Sequence, residues 1–315
     1  MQTEARDLIA QKDKKGGDRI CGVLATENRV GESQSDSRVG ESQSDKNSRV
    51  GESQGDGNKV NLQIRAGLTV ACDGRHSTLR AKSGLAVKDL GAPFDVLWLR
   101  LPAKPGDPQD VVGRVQEGGF FVMIPRSTYW QCAYVIAKGG FDAIKAAGIG
   151  DFRARLRRVA GFAAERADTI TGFDQVKLLT VAVNRLEKWA RPGLLCIGDA
   201  AHAMSPVGGV GINLAIQDAV ASANLLAGRL ASGTLADADL DHVRERRLWP
   251  TRIVQFVQVE AHRRILTPLL RSGGAEPRPP LPIRIISALP WLQRRFASWV
   301  GLGVRPEHVH SPKAP

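Results

Sequence analysis

The 315-residue chain reads as an α/β protein: an incomplete parallel-sheet domain, interrupted by an inserted antiparallel sheet and followed by C-terminal helices. Three observations predict this. Residues 193–218 pass from an apolar strand through a carboxylate and a glycine-rich turn to a helix start. Residues 88–183 are dominated by β-branched and aromatic runs, and the chain beyond residue 236 takes on helical patterning.

The apolar run 194–197 lacks alternation, as expected of a strand covered on both faces of an α/β sheet. Asp199 follows at its carboxyl end, where open sheets place ligands. Gly208, Gly209 and Gly211 remove side chains over a short stretch, so the backbone can turn tightly and lie close to a flat ligand. A long helix is predicted from about Ile212, with Leu214, Ala215, Ala219, Ala223, Leu226 and Ala227 forming a narrow face of small residues.

In chain order, residues 1–87 supply part of the parallel-sheet domain. Runs 20–24 and 60–64 are the strands of a hairpin whose turn has grown by repetition: segment 28–36 recurs as 37–45 and 48–56. The repeat holds almost no large apolar residues and cannot offset the entropy of ordering, so 27–58 are expected to form a disordered loop. A solenoid is excluded because stacked repeats need a hydrophobic face. The strand 68–72 then leads into a polar turn carrying Asp73, Gly74, Ser77 and Arg80.

Residues 88–183 read as the inserted sheet, with strands at 94–101, 110–116, 120–124, 129–137 and 176–183 and a helical piece over 151–164. Trp98, Phe120, Phe121, Met123, Tyr129, Trp130 and Tyr134 are the residues from which an aromatic-lined pocket could be built, although core packing is the commoner fate of each. No side chain there announces itself as an acid or base. Residues 184–235 return to the parallel-sheet domain, and 236–315 supply helices packing on it.

The net charge of +12 invites a polyanion partner, yet no nucleic-acid recognition module is present. The densest basic stretches, 153–158 and 244–247, fall on amphipathic helices and read as solvated faces. Trp291, Phe296 and Trp299 alternate with arginines near the end of the chain; burial on the parallel-sheet domain is expected, with an interfacial membrane helix as the alternative. Cys21, Cys72, Cys132 and Cys196 form no C-x-x-C pair, and read as reduced core residues rather than metal ligands. No run approaches the length of a membrane span and no leader-like segment opens the chain, so a cytoplasmic location is the default expectation.

The predicted helix start after Gly211 concentrates unpaired N–H groups and the positive end of the helix dipole, and will hold negative charge. In a nucleotide-binding protein that charge is phosphate; in a flavoprotein it is the N1–C2=O edge of the ring, which becomes anionic on reduction. Asp199, an acceptor only, suits the ribityl hydroxyls. The plain alternative is a crossover whose glycines serve packing. His202 reads as part of the turn rather than as a catalytic group, and Asp199, His202 and Ser205 lie too close in sequence for a hydrolase triad.

Gly198, Asp199, Ala200, Ala201, His202, Pro206, Gly208, Gly209, Gly211, Asn213 and Asp218, preceded by Asp73, Gly74, Ser77 and Arg80, resemble in identity and order two motifs of the flavoprotein aromatic hydroxylases, the group that includes para-hydroxybenzoate hydroxylase. The resemblance implies a Rossmann-like FAD-binding domain with an inserted substrate sheet. It implies FAD contacts at Asp73, Gly74, Arg80, Gly198, Asp199, Pro206, Gly208, Gly209, Gly211, Ile212 and Asn213. It further implies reduction by NAD(P)H and transfer of a hydroxyl group from dioxygen to a small apolar or aromatic substrate. No metal ligands and no catalytic side chain are assigned. The family's opening G-x-G-x-x-G unit has no counterpart in these residues, and the first twelve resemble a later part of its nucleotide domain. A shortened member, a noncatalytic remnant, or one half of a split enzyme partnered by a separate N-terminal half is therefore expected alongside the complete-enzyme reading. A homo-oligomer and a flavin-dependent isoprenoid reductase are further alternatives.

Overall fold

The computed structural model describes residues 3–13, 16–28, 48–53, 59–116, 119–271 and 289–310. β1 (Thr3–Lys12), β2 (Asp18–Asn28), β3 (Ser48–Ser53) and β4 (Lys59–Ala66) form an antiparallel sheet in the order β1-β2-β4-β3. β2 and β4 are the two arms of the expected hairpin, paired from Gly22 opposite Arg65 to Asn28 opposite Lys59. The repeat expected to be wholly disordered departs from that reading at Ser48–Ser53, which forms β3 on the outer edge of β4. Its backbone N–H and C=O groups find partners along β4, a gain that does not require apolar side chains. Repeat residues 29–47 and 54–58 lie outside the described residues.

β5 (Thr69–Ala71) runs parallel to β14 (Leu194–Cys196), with Thr69 opposite Leu194 and Ala71 opposite Cys196, and β13 (Ala190–Arg191) pairs antiparallel on the other side of β14. All three residues of β14 are buried, as its non-alternating sequence predicts. Cys72 corrects the reading of four core cysteines. It falls just beyond β5 and is exposed, while Cys132 and Cys196 are buried, Cys21 is half-buried and all four are free thiols. The turn into β14 touches β2 directly. Gly193 has φ +75, and a Cβ there would sit 1.9 Å from the Ile20 carbonyl oxygen, so only glycine fits.

After α1 (Thr78–Ser83), β6 (Val87–Asp89) pairs with the distant β12 (Asn184–Leu186) and brackets the inserted sheet. That sheet contains β7 (Phe94–Pro102), β8 (Val112–Gln116), β9 (Gly119–Pro125), β10 (Tyr129–Ala137) and β11 (Lys177–Leu179), in the antiparallel order β11-β7-β10-β9-β8. β11 is shorter than the predicted strand 176–183 because side chains take over its backbone groups: Val181 N–H donates to Asp95 Oδ1, and Lys138 Nζ donates to the Val181 carbonyl. The helix predicted over 151–164 is α2 (Phe141–Ala160), interrupted at Gly148 (φ +88) and continued by a 3-10 segment to Thr169.

Strand alternation divides the candidate pocket aromatics between the two faces. Phe121, Met123, Trp130 and Tyr134 pack beneath α2 against Phe152 and Leu156, so these four are core. Trp98 and Phe120 lie on the opposite face with Phe94, Val96 and Val135. Tyr129 shares that second face by its register position opposite Pro102.

α3 (Gly211–Ala231) and α4 (Asp241–Ala261) pack together; α4 continues through a π turn, His262–Leu266, into α5 (Thr267–Arg271), and α6 (Pro290–Leu302) follows later. The buried stripe of α3 keeps Leu214 and Leu226 of the predicted face but otherwise runs through Asp218, Ala221 and Ser222, while Ala215 and Ala227 are half-buried and Ala219 and Ala223 are exposed. A buried carboxylate, described below, rotates the helix toward α4. Trp291, expected to be buried, is 60% exposed. α6 attaches through backbone carbonyls at its far end, Gly301 and Leu302, which accept hydrogen bonds from Asn213 and Gln217, leaving its first turn in solvent.

The turn after β7 is fixed by Asp107. Its carboxylate accepts two hydrogen bonds from Arg166 at 2.6 Å, one from Trp130 Nε1 at 2.8 Å and one from Lys104 N at 2.9 Å. Arg166 foremost holds this carboxyl well below the usual range, against the opposing effect of burial. Its contribution is therefore complete above the pKa of an unfolded aspartate, about 4, and is lost as pH falls below that toward the lowered folded value. Asp107→Asn should cost about 3 kcal/mol at neutral pH, as for a broken buried pair, and flatten the decline in stability below about pH 4. Urea midpoints measured across pH check this; parallel acid limbs for the two proteins would contradict it.

Candidate cofactor site

The site is built where β14 ends. Gly198, at φ +57, turns the chain out of the strand, and a Cβ there would lie 3.0 Å from Ala215 Cβ, so the turn packs directly on α3. Asp199 follows in a short 3-10 turn and is half-buried. Pro206 is also half-buried, and the loop then opens at Gly208 (φ +83) and Gly209 (φ +64), both exposed. It returns to Gly211, whose Cβ position lies 3.9 Å from Asp199 Oδ1. The glycine-rich loop and the carboxylate therefore converge at the first turn of α3. No side chain caps that turn at Val210, the first turn carries no acidic residue, and Ile212 is 68% exposed. The positive end of the helix is thus available beside Asp199.

The upstream motif is held against this turn. Asp73 accepts from Ser77 Oγ at 2.5 Å and from Leu79 N at 3.3 Å, while Ser77 Oγ caps α1 by accepting from Arg80 N. Gly74 takes φ +88. Arg80 bridges the two motifs, donating to the Arg75 carbonyl at 2.6 Å, Asn184 Oδ1 at 3.4 Å and the Ala200 carbonyl at 3.5 Å. Arg75 Nη2 consequently lies 3.6 Å from Asp199 Oδ2, and its Nη1 is buried without a hydrogen-bond partner. Sequence reasoning missed Arg75; its position between Gly74 and Ser77 was the available signal. Asn213, by contrast, directs its amide to Gly301.

Behind the loop stands a second set of residues that the sequence did not assign. Asp218 is fully buried and accepts from Gly198 N at 3.1 Å, His202 Nε2 at 2.6 Å and Arg247 Nε at 3.0 Å. Burial alone would raise its pKa, but His202 and Arg247 outweigh that and hold it below the ordinary value. Arg247 corrects the reading of 244–247 as a solvated face: it is fully buried and also reaches the Arg305 carbonyl, Glu307 and Gln217. Gln258 clamps the loop, accepting from Ser205 N and donating to the Ser205 and Val207 carbonyls. His262 Nε2 lies 2.9 Å from Ser205 Oγ, and burial pushes its pKa down to about 4. His202 and Ser205 thus turn to different partners, and no triad with Asp199 forms. Among the described residues no group of three or more His, Cys, Asp or Glu side chains could hold a metal ion.

A parallel strand pair, a glycine-rich turn entering a helix and an inserted antiparallel sheet are together the arrangement of an α/β protein built to hold a dinucleotide cofactor. The chain belongs to the FAD-binding domain family, whose sequence model matches residues 24–257, and FAD is the cofactor for which that family is described. It is 32% identical over 246 residues to the 6-methylpretetramide 4-monooxygenase of Streptomyces rimosus, covering 76% of this chain and 58% of that protein. The chain therefore spans somewhat more than half the length of that relative. Its fold is similar to that of PqsL, a probable FAD-dependent monooxygenase from Pseudomonas aeruginosa (TM-score 0.57, 20% identity, 85% of this chain and 64% of that one). It is also similar to CabE, an aromatic hydroxylase from angucycline biosynthesis (TM-score 0.57, 18% identity, 97% of this chain and 53% of that one). Among the described residues no helix is long and apolar enough to cross a membrane.

Replacing Arg247 with Met leaves Asp218 and Glu307 as buried carboxylates without their shared cation. The variant should lose about 3–5 kcal/mol of stability, the usual cost of breaking a buried pair. Chemical denaturation measures it; a loss of about 1 kcal/mol or less, typical of an exposed pair, would show that the network carries little of the fold's stability.

Proposed function

We propose that this chain forms the part of an FAD-dependent monooxygenase that holds the flavin ring and ribityl chain, and that the reaction uses NAD(P)H and dioxygen to hydroxylate an apolar or aromatic substrate. The carrying observation is the convergence of Asp199, Arg75 and the uncapped start of α3 on one exposed glycine loop. The donor set suits the cofactor. Arg75 and the positive helix end favour an electron-rich acceptor edge, Asp199 accepts from hydroxyls, and Gly208 and Gly209 leave backbone bare for a flat ring. Gly198, Pro206, Gly211, Ile212 and Asn213 shape that cradle, and Asp73, Gly74 and Arg80 hold its second wall.

When bound, the flavin supplies hydride acceptance and oxygen activation; the residues named here bind and orient it. Phe94, Val96, Trp98 and Phe120 share an apolar cluster with Val207 of the loop, and this supports the inner sheet face as the wall that excludes water from a substrate. Support for the reaction class comes from the Streptomyces rimosus relative, a monooxygenase named for 6-methylpretetramide. In this reading residues 1–87 and 184–235 hold the cofactor, 88–183 the substrate and 236–315 the supporting helices. The four free thiols agree with a reducing, cytoplasmic setting.

Flavin fluorescence titration tests the assignment. FAD should bind the intact chain, and Asp199→Ala should weaken binding by about 10- to 150-fold, the equivalent of about 1.5–3 kcal/mol for a contact to a charged group. Equal affinity in the variant, or no FAD binding by the unaltered chain, would overturn it.

A further inference from the structure

Residues 303–310 form a strap laid along α3. Gly303, at φ +83, turns the chain out of α6, and a Cβ there would lie 3.2 Å from Gln217 Nε2. Asn213, Gln217 and Asn224 stand about one and then two turns apart on α3. Their amides donate to the carbonyls of Gly301 at 3.0 Å, Leu302 at 2.9 Å and His308 at 2.7 Å, and Asn224 Oδ1 accepts from His310 N at 2.7 Å. Contacts of this kind hold the backbone without reading its side chains.

Two side chains anchor the strap, since of residues 304–310 only Val304 and Glu307 are not exposed. Val304 packs with Met204, Val210, Leu214 and Val254, and Val210 directly precedes Gly211. The Glu307 side chain is 5% exposed; it accepts from Arg246 at 2.7 and 3.2 Å and from Arg247 at 3.4 Å. Arg247 is the cation that holds Asp218, which in turn accepts from Gly198 N. The anchors therefore reach the cofactor loop from both ends, at Val210 before α3 and at Gly198 after β14. Packing beneath the strap is incomplete. An apolar cavity of 280 Å³ is lined by Gly303 together with Val207, Val210, Leu214 and Val254, and Val309 is 71% exposed. Lifting the strap removes Glu307 from Arg247 and lets water reach a guanidinium that is otherwise fully buried. The attraction between Arg247 and Asp218 falls as the local dielectric rises, and the hold on Gly198 falls with it.

We propose that the C-terminal strap is a latch on the cofactor turn, with Glu307 as its positioning residue: docking of the strap fixes Gly198 and raises affinity for the cofactor, and bound cofactor holds the strap down. The identity of the cofactor rests on the flavin reading, whereas the coupling of Glu307 to Gly198 stands apart from it. Two events that favour each other at equilibrium must do so by the same factor, so the latch is measurable from either side.

Amide hydrogen exchange and FAD fluorescence titration of the full chain test the latch together. Glu307→Gln keeps the side chain's size and removes its charge; it should weaken FAD binding at least about fivefold, the lower end of typical coupling between sites. In the unaltered chain, saturating FAD should slow exchange of the His310 amide by a similar factor. Asn224→Ala serves as the second variant, because Asn224 lies about 20 Å along α3 from Gly211 and its side-chain hydrogen bonds go to the strap. It too should weaken FAD binding, and without FAD both variants should speed exchange at Gly198 while β7 and β10 keep their protection. A strap that is merely attached would leave FAD affinity and Gly198 exchange unchanged in both variants, and that result would overturn the proposal. So would FAD binding that adds no protection at His310. If FAD does not bind at all, the flavin reading falls, and exchange at Gly198 in the two variants decides the latch by itself.

Discussion

A single buried carboxylate, Asp218, organises the half of the molecule that carries the cofactor site. Its two oxygens take the backbone N–H of Gly198, the ring N–H of His202 and the guanidinium of Arg247. Each donor comes from a different part of the chain: the turn out of β14, the loop beyond Asp199, and α4. Arg247 then passes the connection to Arg305 and Glu307, so the last described segment is fastened to α3 through the same charge. In a low-dielectric interior such a network is costly if one member is missing and rigid when all are present. The rigidity falls on Gly198, the residue that sets the direction in which Asp199 leaves the sheet.

The second constraint is the strand alternation of the inserted sheet. The register of β7, β9 and β10 sends Leu97, Leu99, Phe121, Met123 and Trp130 to α2 and leaves Val96, Trp98, Phe120 and Val135 on the face shared with Val207. A one-residue slip would exchange the two sets, so the same pattern that makes the core also determines which aromatic rings can approach the loop. Gln258 and His262 then tie that loop to α4 and to the π turn that follows it, the kind of helical irregularity often found near functional sites.

Much of this was legible in the sequence. The unbroken apolar run at 194–197 and the glycines after it gave the buried strand, the turn and the helix start, and the β-branched runs gave four of the five strands of the inserted sheet near their observed limits. What escaped was set by tertiary contacts. Arg247 looks like any arginine in a basic stretch until the helix is rotated onto Asp218. Arg75 gains its meaning only when Arg80 draws two turns together across more than a hundred residues. Residues 48–53 carry Val50 as their only large apolar residue, too little for a strand signal, and their strand arises from backbone pairing to β4. Trp291 failed in the other direction, since apolar character alone does not say which end of a helix is anchored.

Amide hydrogen exchange at Gly198 tests the central claim most directly. With Asp218 intact, the Gly198 N–H should be protected to the level of the buried strand β14. In Asp218→Asn, protection at Gly198 and through the loop to Gly211 should fall by orders of magnitude, while β7 and β10 keep theirs. Unchanged protection at Gly198, or a uniform loss across the whole chain, would contradict the account.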